Sequence, residues 1–197
     1  MVVDQNFPKV KKYFLSIILI ILFSSKSFSE NYKYTKIVKL KNPWSATFIN
    51  NNEIIITEKE GKIKIIDLSS RKISSIEHNL NYLVHGQGGL LDIIYKDEKL
   101  WISYTEDRGD WKTSTSIAKA RLNKNKLNFK NIFQAEPPID SGYHFGSRLA
   151  IKDEYLFASA GERGQGMIAQ DPTKHPGSII RIYTDGGIPE DNPKFQG

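Results

Sequence analysis

EIIITEKEGKIKIIDLSSRKISSIE, residues 53–77, decides how this chain folds. Three short runs rich in Ile and alternating with Lys, Ser or Thr are cut at Glu60-Gly61 and again at Ser69-Ser70-Arg71. β-Branched side chains fit a pleated, half-buried surface, and Gly and Ser favour the turns between such runs. Runs of this length with these breaks read as antiparallel strands. With residues 46–49 ahead of them, they make one four-stranded meander.

Working outward, the same set recurs. Residues 90–95, 99–107, 114–122 and 127–133 make a second meander, and 147–151, 154–163 and 177–183 begin a third. A further run, 35–40, reads as a leading strand. No amphipathic helical stretch of useful length interrupts them, so the fold class is all-β. Ala46 to Leu91 is an offset of 45 residues, and Leu91 to Leu149 one of 58. Four-stranded units at about 40–50 residues are the mark of a β-propeller. Such rings close with roughly 4–8 blades, and this sequence holds about three. It therefore reads as the N-terminal part of a longer, truncated propeller domain spanning residues 30–197.

Residues 1–29 read as an address. Lys9, Lys11 and Lys12 precede the uncharged run YFLSIILIILF at 13–23, and Ser27-Phe28-Ser29 offers small residues before a cleavage point. That is the anatomy of a secretory signal peptide. The run is shorter than the ~20 residues a spanning helix needs, so no stable membrane anchor is expected after cleavage. Residues 1–29 hold four of the 28 basic residues and one of the 22 acidic ones, so the remainder carries only about +3. Its lysines are scattered, which argues against a nucleic-acid partner. The absence of cysteine excludes disulfides, thiolate metal sites and a cysteine nucleophile. Export without disulfides points to the periplasm.

Three loops carry candidate chemistry. In His85-Gly86-Gln87-Gly88-Gly89, the glycines either serve only a tight strand entry or hold the Gln87 amide out to a ligand. In Tyr143-His144-Phe145-Gly146, His144 is either a structural histidine or a base near the axis, since imidazole accepts a proton near neutral pH. Gly161-Glu162-Arg163-Gly164-Gln165-Gly166 has the order GxxGxG, and Pro172 ends any helix after it. That excludes a dinucleotide loop. Glu162 is then either a solvated surface residue or the carboxylate that orients His144. His78, His85, His144 and His175 lack metal-ligand spacing.

Taken together, NPWSATFI (42–49), ITEKEGKIKII (56–66), GQGGLLDI (86–93), SIAKARL (116–122), HFGSRLAI (144–151), LFASAGERGQ (156–165) and HPGSIIRIYTDGGIPEDNP (175–193) are collinear. In this the chain resembles the soluble pyrroloquinoline-quinone-dependent aldose dehydrogenases, the glucose/sorbosone dehydrogenase family. The resemblance implies a six-bladed propeller whose quinone carries the redox chemistry while the protein orients it. It implies His144 as general base toward an aldose, Glu162 as its acidic partner where the family often has Asp, and Gln87 and His144 against the quinone. Gln165 and Arg148 lie in matched segments without implied contact roles. The family's cations for the quinone carboxylates and its Ca²⁺ ligands are implied beyond residue 197, so this chain alone is expected to be inactive. An external electron acceptor is implied as well. Because propellers host many functions, a non-catalytic propeller binding a sugar or protein in the axial cleft stands as the alternative. A hydrolase would want a second acid near His144, and none is found.

Overall fold

The computed structural model describes residues 32–194. The leader expected at 1–29 lies outside the described residues. Residues 32–36 belong to a first unit and form no regular structure. The second unit begins at Ile37 and carries every strand found among the described residues.

Among the described residues twelve strands form three sheets. β1 (Pro43–Phe48), β2 (Glu53–Glu58), β3 (Lys62–Asp67) and β4 (Ile73–His78) run as an antiparallel meander. β5 (Leu90–Lys96), β6 (Lys99–Asp107), β7 (Thr113–Arg121) and β9 (Lys130–Gln134) make the second. β10 (Gly146–Lys152), β11 (Tyr155–Ala160) and β12 (Ile179–Tyr183) make the third. These are three blades of a propeller, as the repeat predicts. Two expectations are corrected. Residues 35–40 form no strand. The run 127–133 is not one strand, because β8 (Lys126–Leu127) leaves blade two and pairs in parallel with β4 of blade one. A 3₁₀ turn, Gly166–Gln170, follows β11.

The cores lie between the blades, which explains the sequence pattern of β6. Leu100, Ile102 and Tyr104 enter a cluster with Ile55, Ile63, Ile65 and Ile76 of blade one. Trp101, on the opposite face, joins Leu149, Leu156 and Ile180 of blade three. A strand covered on both faces loses its polar alternation, and Leu100 through Glu106 are all buried. Burying each Leu or Ile contributes about 1.5–3 kcal/mol.

Each innermost strand carries a bulge at its start, between Pro43 and Ser45, Leu90 and Ile93, and Gly146 and Leu149. A bulge leaves a backbone carbonyl outside the ladder, and at the bulges of β5 and β10 a hydroxyl on the preceding blade satisfies it. Thr57 Oγ1 donates to the Leu91 carbonyl at 2.6 Å, and Ser103 Oγ to the Ser147 carbonyl at 2.6 Å. Asp92 sits in the middle bulge, 4% exposed. It accepts from Ser45 Oγ of blade one at 2.5 Å and from the Leu149 amide of blade three at 2.8 Å. One carboxylate thus ties three blades, and the strand starts it aligns bring the loops before β5 and β10 to one rim.

Candidate active site

The rim is built from the turn before β5, the loop before β10 and the loop after β11. Gln87 is fixed by its amide N–H donating to the Gly142 carbonyl at 2.7 Å, and its side-chain Oε1 accepts from the His144 amide at 2.9 Å. His144 has φ of 49°, a left-handed conformation uncommon outside glycine. Gly161 permits the close approach behind it: a Cβ there would lie 1.9 Å from the His144 carbonyl oxygen.

The structure brings His144 and Glu162 together. Imidazole Nδ1 contacts Glu162 Oε1, which also accepts from the Gly164 amide at 3.1 Å. The hydrogen bond from His144 is the main cause that holds the Glu162 carboxyl below its ordinary value. An ionised carboxylate only accepts, so Nδ1 carries the proton and Nε2 is left as the basic nitrogen. The His144 side chain is 54% exposed, so the ring is not enclosed by packed side chains. Tyr143 stands edge-on to it, with centroids 6.1 Å apart.

Gln165 donates its amide to the Glu162 carbonyl at 2.9 Å. Arg148 lies 3.2 Å from Asp92 and stacks over Trp44, so its partners are inter-blade ones. Arg163 has a place that its sequence does not announce. Its guanidinium is buried, stacks 3.7 Å over Phe145, and reaches Tyr143 O at 3.0 Å, Thr113 O at 3.0 Å, Thr113 Oγ1 at 2.7 Å and Ser141 O. An Arg between glycines reads equally well as a solvated loop residue, so no sequence signal marks it. Among the described residues no group of three or more His, Cys, Asp or Glu side chains is placed to hold a metal ion. Among them, too, no helix is long and apolar enough to cross a membrane.

Fold and rim together define a β-propeller that presents a carboxylate-oriented imidazole at the mouth of its inner strands. Residues 40–197 match the Glucose / Sorbosone dehydrogenase family, and the chain belongs to it. It is 32% identical over 165 residues to the aldose sugar dehydrogenase YliI of Escherichia coli (strain K12), covering 79% of this chain and 44% of that protein. It is 25% identical over 209 aligned positions to quinoprotein glucose dehydrogenase B of Acinetobacter calcoaceticus, covering 88% and 44%. The crystal structure of the soluble aldose sugar dehydrogenase from Escherichia coli in its apo-form superposes with a TM-score of 0.74 at 33% identity, over 78% of this chain and 47% of that one. The chain spans about half the length of these relatives.

Proposed function

We propose that the complete protein is a periplasmic quinoprotein that oxidises an aldose at C1 to the lactone, with pyrroloquinoline quinone as cofactor. The observation that carries this reading is the His144–Glu162 pair beside Gln87 at the rim. The quinoprotein and aldose-dehydrogenase relatives support it. The residues present suit one edge of such a cofactor. With its oxygen spent on the His144 amide, Gln87 keeps its NH₂ free for a quinone or sugar oxygen, and His144 keeps Nε2.

In this reading Nε2 takes the proton of the anomeric hydroxyl, and Glu162 stabilises the imidazolium that results. As the O–H bond opens, C1–O becomes the lactone carbonyl and the C1 hydrogen leaves with its electron pair. The quinone, when bound, supplies the two-electron acceptor for that hydride, and an external acceptor reoxidises it. A placed general base of this kind contributes about 10²–10⁴-fold. The proposal includes export by residues 1–29, and a Ca²⁺ and quinone-carboxylate site supplied by the rest of the protein. Residues 30–197 alone are then inactive.

The test uses the complete protein with pyrroloquinoline quinone, Ca²⁺ and an artificial electron acceptor over a panel of aldoses. Dye reduction by wild type, cut about 10²–10⁴-fold in His144→Ala, is the expected result. Sugar binding without dye reduction would favour the binding propeller, and a His144→Ala variant as fast as wild type would remove the base.

A further inference from the structure

Arg163 is 2% exposed and its side-chain partners are three backbone carbonyls and one hydroxyl, with no carboxylate among them. A buried charge without a counter-ion is costly, and burial lowers this guanidinium to about 10. That still leaves it charged at neutral pH. What the charge holds is the segment around the candidate base. The planar fork joins Ser141 and Tyr143 to Thr113 at the start of β7. Its face covers Phe145, and the Phe145 ring in turn lies under Gly88, where a Cβ would meet it at 2.8 Å. The Arg163 amide points at the His144 carbonyl at 3.4 Å, and its chain neighbour is Glu162. One side chain therefore holds the loop carrying His144 directly, and meets the loop carrying Gln87 only through the Phe145 ring, while Glu162 is the residue that precedes it. A lysine ammonium is a compact charge that cannot span these acceptors in one plane.

We infer that Arg163 is the positioning residue of this site, locking the 141–145 segment onto β7 so that the His144 imidazole stays on the Glu162 carboxylate. The inference rests on the dehydrogenase reading of His144. It adds a residue that touches neither sugar nor cofactor and acts through the base.

The test compares wild type, Arg163→Lys and the milder Thr113→Val in the complete protein loaded with pyrroloquinoline quinone and Ca²⁺. In Arg163→Lys, kcat is expected to fall about ten- to a hundredfold, with KM for the sugar little changed. The acid side of the kcat–pH profile is expected to differ from wild type, because separating the pair takes the carboxylate partner away from the base and returns the Glu162 carboxyl toward its ordinary value. Thr113→Val moves both quantities the same way by less, and decides the matter if Arg163→Lys does not fold. The downfield Nδ1–H resonance of His144 gives a readout independent of turnover, and is expected to shift or broaden in both variants. Unchanged kcat, pH profile and resonance in a folded variant overturn the inference. So does a loss of rate that only tracks the folded fraction. A wild type that reduces no dye overturns the dehydrogenase reading instead, and the resonance alone then decides whether Arg163 holds the pair.

Discussion

His144 and Glu162 are eighteen positions apart, and the residues alone left each open between a structural and a functional reading. Their pairing was legible only through the family resemblance, and the structure brings the two side chains into contact. The Glu162 carboxyl is depressed in the folded state, chiefly by the His144 hydrogen bond and further by the Gly164 amide. Its contribution to stability is therefore present above the ordinary carboxylate value and disappears as pH falls through the lower, folded value. Glu162→Gln is expected to remove that acid-side loss, so thermal unfolding followed across about pH 3–7 should give a flatter profile for the variant. A variant that keeps the wild-type slope would show that other carboxylates carry it. Gln87 was legible as an amide at the rim, but its bond to the His144 amide was not, because that bond joins loops 57 residues apart. Arg163 was wholly hidden, since burial of a loop arginine depends on what covers it.

At the scale of elements, strands such as β2 and β3 were read nearly to their ends, because isoleucine runs between turn residues mark both limits, whereas the run at 154–163 outlasts β11, which ends at Ala160. The bulges were not legible. They show only in pairing, and so do the hydroxyls of Thr57 and Ser103 that answer the second and third of them. Ser103 lies buried opposite the middle bulge, accepting from the Asp92 amide at 3.0 Å and donating to Ser147 O. Ser159 stands at the matching place in β11, accepting from the Arg148 amide at 3.1 Å. Ser103→Ala would strand a buried donor and a buried acceptor at once, at a cost of about 1–3 kcal/mol. Urea unfolding of the complete protein measures it, and a cost indistinguishable from zero would mean that water or a shifted backbone replaces the hydroxyl. The single strand expected over 127–133 failed for a related reason. Lys126 and Leu127 take their backbone partners from Glu77 and His78, in another sheet, and nothing local to those two residues says so.

For the molecule as a whole, the repeat at offsets of 45 and 58 residues revealed blades, but how they cohere rests on single residues that a repeat cannot reveal. Asp92 is the strongest case, with bonds reaching blade one through Ser45 and blade three through Leu149. Asp92→Ala removes the acceptor for all of them and is expected to cost about 2–4 kcal/mol, more than an equally buried residue bonded within one sheet. A melting temperature within a degree of wild type would refute that ranking. The two-residue pairing of β8 with β4 has its own consequence. Leu127 is fully buried in the core shared by blades one and two, so blade one cannot open its outer edge without pulling a segment of blade two out of contact. Amide protons on β3, β4 and β7 should then exchange with solvent deuterium as one cooperative block, in place of a fraying that starts at the outermost strand and works inward.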